Sequence, residues 1–356
     1  MNKRINIAIC GFQGYVGKTL VSLLLGHPHL KIVAFLAGKS DEQFQTHVEI
    51  AVKQIVPVYS LPEMLEKQNE VDLLLLATPP DVSIALVQKL KNTSMKIIDL
   101  SGAFRLPQQE MFLWYGLQHH IPEYLNGAAY ALSPWSNQII GQKLLANPGC
   151  YATCALMALI PLLKENIIKK NTIIIDAKSG TSGAGKKANL DLMFSEMADN
   201  FFPYKVGKHQ HKPEINYILE QYTGKPCKVV FTTQMLPLLR GISMTIYADV
   251  ISDIQSDEES IATITKVYQT AYAGYPLVKF AAINQGNAEN DKFLLSLKSV
   301  SGTPNTHIAY YVEEGKLYLF ASIDNLLKGA ASQAIENINR LYQLPPETSL
   351  LAKEVV

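Results

Sequence analysis

Through its first hundred residues the chain alternates short apolar runs with stretches whose apolar positions recur at helical spacing. Ile5 to Cys10 reads as a buried strand, and Leu20, Leu23 and Leu24 set a helical period behind it. Lys31 to Leu36, Gln54 to Tyr59, Val71 to Ala77 and Lys96 to Leu100 read as further strands, with helical patterns near Leu61 to Lys67 and Val82 to Lys91. Strand and helix in turn predict a parallel sheet. From Trp114 to Tyr130 the periodicity fades, and an irregular connection is expected. Ala155, Leu156, Leu159 and Ile160 then mark a helix with one buried face. Strands follow at Thr172 to Asp176, Val229 to Met235, Ile242 to Val250, Phe293 to Val300, His307 to Val312 and Lys316 to Ile323, with a helical run from Glu258 to Tyr272. That mixture predicts an α+β domain with a broad sheet, suited to a wall for a site and to a subunit interface. Asp324 to Ala331 opens a last helix with Ala334, Ile335 and Ile338 on or near one face. It is expected to return to the first domain, which therefore comprises 1–147 completed by 328–356, leaving 148–327 as the second.

Composition narrows the partners. Thirty-two lysines and arginines against 31 aspartates and glutamates leave a formal charge of +1, which gives no reason to invoke nucleic acid or an anionic membrane. No apolar stretch is long enough to span a bilayer, and the apolar run behind Met1 is broken at once by glycines, unlike a signal peptide. Four cysteines without a CxxC pair argue for a reducing cytoplasm and against a disulfide framework or structural zinc. A small molecule is the expected partner.

Gly11-Phe12-Gln13-Gly14-Tyr15-Val16-Gly17 follows the first strand directly and precedes a helix. Glycines let backbone approach a pyrophosphate, and the helix start supplies amides and positive potential, so Gly11, Gly14, Tyr15, Val16 and Gly17 form a candidate dinucleotide turn of a Rossmann-type domain. The spacing is GxxGxxG. The second strand ends in Lys39 and Ser40, where NAD-selective folds place a carboxylate; a cation and a hydroxyl suit a 2′-phosphate and favour NADP(H), with Asp41 close by as the counter-signal. Thr78, at the end of the Val71 strand, is a candidate for the nicotinamide side. Arg105, in Asp99 to Leu106, is a candidate for binding an anion.

Asn147-Pro148-Gly149-Cys150 is a turn that delivers a cysteine to the start of a helix, where amides and the helix dipole favour thiolate. Cys150 is therefore the candidate nucleophile, whereas Cys10, Cys154 and Cys227 read as small core residues. A basic glycine and hydroxyl loop, Lys178 to Lys187 with Ser179 and Gly180, can bind phosphate but lacks the G-x-x-x-x-G-K-[ST] order of a nucleoside-triphosphate site. In His209-Gln210-His211-Lys212-Pro213-Glu214 a base for the thiol and a carboxylate to orient it stand together. If Pro213 begins a helix, Glu214 sits beside His211 and His209 is left to face substrate. Zinc held by His209, His211 and Glu214 is the competing reading, without a further ligand to support it, and the adjacent His119 and His120 do not make a metal site.

Taken together, Gly11 to Gly17, Asp99 to Leu106, Asn147 to Thr153, Ser179 to Gly185, His209 to Ile215, Leu236 to Gly241 and Asp324 to Ala331 resemble the N-acetyl-gamma-glutamyl-phosphate reductases from nearly end to end. That family is similar in fold and chemistry to aspartate-semialdehyde dehydrogenase. The resemblance implies NADPH-dependent reduction of an acyl phosphate to an aldehyde and inorganic phosphate, in arginine biosynthesis, by a cytoplasmic homo-oligomer, dimer or tetramer. It maps Cys150 to the nucleophile, His211 to the acid–base, Glu214 to the residue supporting it, and Arg105, Ser179, Gly180 and His209 to regions around substrate or its phosphate. Asn147 opens the cysteine motif and is taken with the substrate residues. Two positions depart from the pattern: Gly102-Ala103 stands where Ala-Asp is common, and Lys186 where an arginine often ends the loop. Related acyl phosphates, a cysteine acyltransferase or hydrolase, and a non-catalytic NADP sensor are the rival readings.

Overall fold

The computed structural model describes residues 4–37, 47–51, 54–136, 138–251 and 256–351. Lys39 and Ser40 lie outside them. The chain divides into two compact units, one of Met1–Gly149 with Ala330–Val356 and one of Cys150–Gly329.

In the first unit β1 (Ile5–Cys10), β2 (Leu30–Leu36), β3 (His47–Ala51), β4 (Gln54–Tyr59), β5 (Leu73–Leu76), β6 (Lys96–Asp99), β7 (Ala129–Tyr130) and β8 (Leu144–Ala146) form one sheet in the order β3-β4-β2-β1-β5-β6-β8-β7. Every neighbouring pair is parallel except β3 with β4. Ile7 to Cys10 and Leu73 to Leu76 are fully buried, as continuous apolar runs in a sheet covered on both faces require. Helices α1 (Tyr15–Leu25), α2 (Leu61–Glu66), α3 (Pro80–Leu90), α4 (Gln108–Tyr115) and α5 (Pro122–Gly127) connect them. α5 lies within the stretch where periodicity fades, and α4 ends at its start. Both are short, and Pro122 presets the first turn of α5. Strand order reverses on either side of β1, which puts the switch point at the carboxyl ends of β1 and β5.

The second unit opens with α6 (Cys150–Lys164), in which every residue from Tyr151 to Leu163 is buried. Around it stand α7 (Phe194–Met197), α8 (His211–Thr223), α9 (Asp257–Ala271), α10 (Ala288–Leu295) and α11 (Leu297–Val300). Strands β9 (Ile174–Ser179), β10 (Phe202–Pro203), β11 (Val230–Met235), β12 (Ile242–Asp249), β13 (Val278–Ala282), β14 (Thr306–Glu313) and β15 (Lys316–Ile323) form a mixed sheet ordered β10-β11-β9-β12-β15-β14-β13. The stretch expected as a strand, Phe293 to Val300, is instead the end of α10 followed by α11. Local capping overrides its apolar alternation: the Asn287 side chain accepts from the amide of Asn290, and the Asp291 carboxylate accepts from that of Asn284.

The chain then returns to the first unit through a π-turn, Leu327–Ala331, and α12 (Ser332–Leu341). The helix expected over 328–356 is therefore one short element. Its face is more polar than the alanines and isoleucines alone suggest, because Gln333, Glu336, Asn337 and Asn339 are all fully buried. Asn337 donates to the Ala131 carbonyl at 2.7 Å and to Asn147 Oδ1 at 2.9 Å. Asn339 donates to the carbonyls of Pro346 and Thr348, and its Oδ1 meets His27 Nε2 at 3.0 Å. Such groups are tolerated inside because they are bonded.

Pro161 stands inside α6 and has no N–H for the carbonyl of Met157. The Tyr272 hydroxyl donates to that carbonyl, and Tyr268, fully buried on α9, donates to Ala158 O at 2.7 Å. Ala158 differs from Met157 in that the residue four ahead of it, Leu162, carries an amide. Tyr272→Phe is thus expected to lower stability by about 1–3 kcal/mol, the cost of an orphaned buried acceptor, and Tyr268→Phe by less. Chemical denaturation of the two variants side by side measures the difference; equal losses would contradict the role given to Pro161.

Candidate functional site

The glycine turn lies at the switch point of the first unit. Gly11 has φ of +82°, and a Cβ there would stand 2.2 Å from the carbonyl oxygen of Ala77, at the end of β5. At Gly17 a Cβ would stand 2.2 Å from the carbonyl oxygen of Gly11, so the first and third glycines allow strand, turn and helix to touch. Gly14 is the N-cap of α1 and leaves the first amides without a side-chain cap. Uncapped amides at a helix start could hold an anion such as a pyrophosphate. Tyr15 is exposed and Val16 half-buried at the helix start, while Phe12 stacks on Phe35 with centroids 4.1 Å apart. Thr78 shares a hydrogen bond of 2.8 Å with Ser83 beside this turn.

Arg105 is 7% exposed, which for an arginine demands partners. Its Nε donates to the carbonyl of Asn147 at 2.8 Å and its Nη2 to that of Leu100 at 2.7 Å, so it ties the loop after β6 to the end of β8. Asp99, entirely buried beneath, has its pKa raised by burial against the lowering effects of Ser83, Ser101 and Arg105. The Gly102 departure has a steric reason: a Cβ there would lie 2.2 Å from the Tyr115 hydroxyl, and the tyrosine ring fills the space. Ala103 is fully buried. Asn147 is spent on the protein itself, accepting from Asn337 and donating to Ala330 O at 3.3 Å.

Cys150 is the first residue of α6, the place where the dipole favours a thiolate. It is half-buried, whereas the other three cysteines are buried. Burial pushes the Cys10 thiol up to about 12, that of Cys227 to about 11, and that of Cys154 further still. Gly329 packs directly against the cysteine, since a Cβ at residue 329 would be 2.7 Å from Cys150 Cβ. The π-turn brings it there, with the Gly329 amide bonded to Asp324 O at 2.9 Å.

Residues on three elements meet around the ring of the residue that follows Cys150. Tyr151, next along α6, has its ring 5.2 Å from that of His209 and 5.9 Å from that of His211. Its hydroxyl meets Tyr204 at 3.0 Å, and burial, with a smaller contribution from Cys150, raises the pKa of both tyrosines. Helix α8 begins at His211 rather than Pro213, which falls within the first turn, where its missing N–H costs nothing. Glu214 lies three residues on, on the same face, and is fully buried. His209 is 5% exposed and its Nδ1 accepts the His211 amide at 3.2 Å.

Ser179 ends β9, buried, with its hydroxyl donating to Gly180 O. Gly180 is needed where the next loop crosses: a Cβ would be 2.8 Å from Arg240 N and 2.9 Å from Leu238 O. The amides of Gly180, Thr181 and Ser182 donate to the carbonyls of Gly241, Leu238 and Leu239, zipping 180–182 to 238–241. Lys186 and Lys187 project into solvent beyond. Sequence reasoning overlooked the residues that hold these loops. Asn325 accepts from the Gly241 amide at 2.8 Å and donates to Ser182 Oγ at 3.0 Å. Asp324, fully buried, accepts from the amides of Gly302, Leu326 and Leu327 and pairs with Arg240 at 3.8 Å. An Asp-Asn pair before a glycine-containing turn was their only signal. Among the described residues, no group of three or more histidine, cysteine, aspartate or glutamate side chains is arranged to hold a metal ion, and no helix is long and apolar enough to cross a membrane.

Comparison with known proteins places this geometry. Residues 6–142 match the family described as semialdehyde dehydrogenase, NAD binding domain, and residues 150–325 match semialdehyde dehydrogenase, dimerisation domain. The chain is 36% identical over 356 residues to the N-acetyl-gamma-glutamyl-phosphate reductase of Geobacillus sp. (strain WCH70), with 98% of each chain covered. It is 37% identical to the protein of that name from Bacillus cytotoxicus, over 97% of this chain and 98% of the relative. Among solved structures, aspartate semialdehyde dehydrogenase II from Vibrio cholerae is similar with a TM-score of 0.70 at 15% identity, over 96% of this chain and 99% of that one. The Francisella tularensis aspartate semialdehyde dehydrogenase gives 0.69 at 17%, over 94% and 100%. The two sheets are thus those of a known architecture, and the chain belongs to the N-acetyl-gamma-glutamyl-phosphate reductases of the semialdehyde dehydrogenase family.

Proposed function

We propose that the chain reduces N-acetyl-L-glutamyl 5-phosphate to the 5-semialdehyde, releasing inorganic phosphate, with NADPH as reductant, as a cytoplasmic step of arginine biosynthesis. The observation that carries this reading is a single half-buried cysteine at the head of a buried helix, with two histidines gathered against the tyrosine that follows it. The β1–α1 turn, with Gly11, Gly14, Tyr15, Val16 and Gly17, suits the pyrophosphate of a nicotinamide dinucleotide, and Thr78 flanks it. Lys39 and Ser40, at the end of the second strand in the sequence, are the proposed partners of the 2′-phosphate that distinguishes NADP. When bound, the cofactor supplies the hydride.

The chain's own residues supply the rest. The Cys150 thiolate attacks the acyl carbon; its new bond to carbon forms as the bond to the phosphate oxygen breaks, leaving a thioester and free phosphate. His211 holds a proton for the oxygen of the reduced adduct and takes it back as the C–S bond breaks, so the aldehyde leaves and the thiolate is restored. Buried Glu214, three residues along the same helix face, supports the imidazole. Arg105, with Ser179 and Gly180 of the zipped loop, is assigned to the region around the substrate phosphate. Asn147 acts through the backbone it holds before the cysteine.

Self-association follows from the second sheet. On one of its faces Val230, Ile174 and Tyr247 stand in register across β11, β9 and β12, and are 56%, 44% and 41% exposed. A contiguous apolar row on a broad sheet fits a second copy of the chain, dimer or tetramer.

Three measurements test these readings. In the folded protein, iodoacetamide is expected to modify one cysteine, Cys150, as mapped by mass spectrometry, against four after denaturation; modification of another cysteine first would remove the assigned nucleophile. Purified protein given N-acetylglutamate semialdehyde is expected to reduce NADP only when phosphate is present, and Cys150→Ser is expected to abolish this while keeping cofactor affinity. Preference for aspartate semialdehyde would keep the mechanism and change the substrate, and NADP-independent turnover would favour an acyltransferase. Ile174→Asp should shift the sedimentation coefficient towards the monomer; an unchanged value would place the interface elsewhere.

A further inference from the structure

His209 and His211 are the same residue type two positions apart, yet their surroundings differ. His209 is packed into a ring of aromatics: Tyr151 from α6 at 5.2 Å, Tyr204 from the loop before α8 at 5.7 Å, Phe231 from β11 at 5.6 Å, and His211 itself at 4.9 Å between centroids. Its Nδ1 accepts the backbone amide of His211, the first residue of α8. The residue in the N-cap position, Gln210, makes no side-chain cap. An imidazole therefore does the work usually given to Ser, Thr, Asp or Asn, satisfying an amide that the helix leaves without a partner.

We propose that His209 is a positioning residue, whose Nδ1 caps the helix carrying His211 and so fixes that ring beside Cys150, and that it is not a cationic ligand of the phosphate. The proposal deepens the functional reading above and rests on its assignment of Cys150 and His211. Geometry excludes the charged form: an imidazolium would point an Nδ1–H at the His211 N–H only 3.2 Å away. The surroundings agree. Burial, then His211 and Lys205, lower the basicity of His209 to about 2. Of the titratable groups around it, Tyr151 and Tyr204 are hydrogen-bonded to each other with pKa values raised by burial, and Lys205 donates to Gln210 at 2.9 Å, so none of these three contributes a negative charge near neutrality; the proposed Cys150 thiolate bears on the two tyrosines. A neutral ring accepting at Nδ1 carries its hydrogen on Nε2.

The experiment compares His209→Leu, which removes the cap, with His209→Asn, whose Oδ1 can accept the same amide. Steady-state kinetics of phosphate-dependent aldehyde oxidation are measured across pH. In the Leu variant kcat is expected to fall by about 10- to 100-fold, as for a catalytic group displaced by a fraction of an ångström, with the phosphate KM nearly unchanged. The pH limb belonging to His211 should move, and the Asn variant should recover most of both. A phosphate KM raised about tenfold in both variants with kcat retained would make His209 a direct ligand and overturn the proposal. Equal losses in Asn and Leu with an unmoved pH limb would overturn it too. Nitrogen-15 NMR of the histidine rings in the wild-type protein needs no turnover: a single Nε2–H tautomer for His209 between about pH 5.5 and 8.5 supports the cap, and titration to imidazolium in that window refutes it. If the wild type shows no phosphate-dependent activity, the functional reading fails while the ring spectrum still decides the capping role.

Discussion

The proposed nucleophile is mounted on a helix start and is only as well placed as the helix is immobile. Here immobility comes from burying α6 on all sides, from Tyr151 to Leu163. Burial of that kind is demanding, because each polar group taken out of water must find a partner inside. Pro161 opens a vacancy in the helix ladder, and Tyr272, just past the end of α9, closes it. The hydroxyl is the price of having a proline in a core helix, and the aromatic body behind it adds apolar packing as well. Cys150, alone among the four cysteines in its partial exposure, stands at the start of that buried helix.

Around that fixed start the backbone runs closer than side chains allow. Gly329 lies against Cys150, and Gly180 under the crossing of Leu238 to Arg240, at distances no Cβ could tolerate. Close approach of this kind needs something to hold the backbones together, and the Asp324-Asn325 pair provides it. The Asp324 carboxylate accepts from the amide of Gly302 and from those of Leu326 and Leu327 just ahead of it, while Asn325 accepts from the Gly241 amide and donates to the Ser182 hydroxyl, so one short stretch gathers residues 182, 241 and 302. Buried Asp324 is stabilised by three amide donors and Arg240. Its role is to fix loops.

The architecture was legible in the sequence wherever one periodicity dominated. β1, β5 and β6 are uninterrupted apolar runs bounded by glycine, proline or polar residues, and the alternation with α1 and α3 leaves a parallel sheet as the natural outcome. Phe293 to Val300 misled because its apolar spacing suits a strand while the decisive signals, Asn287 and Asp291, are side chains that bond local amides, a matter of geometry rather than pattern. Among the candidate site residues, Cys150 and His211 stand out in the sequence by residue type and motif alone. What Asn147 and Gly180 do was not, because an amide bonded to a distant helix and a glycine crossed by another loop are contacts made only after folding. The buried polar face of α12 was hidden for the same reason: Asn337 and Asn339 look solvent-facing until their partners at Ala131, Asn147 and Pro346 are in place.

The two histidines show how far residue type underdetermines role. Both follow from the same motif, and either imidazole could serve as base in isolation. Position on the helix separates them. His211 is the first residue of α8, three before buried Glu214 on the same face, so its ring is set by helix geometry and a carboxylate lies along that face. His209 precedes the helix, bends back to accept its first free amide, and is closed in by three aromatic rings. A ring used as an acceptor at one nitrogen and walled off from water cannot take up a proton cheaply, whereas a base must do so in every cycle. The same burial that unfits His209 for proton transfer makes it a rigid cap. A stiff cap on a short loop is what the proposed acid–base residue at N1 requires, because any fraying of the helix start would move its ring directly.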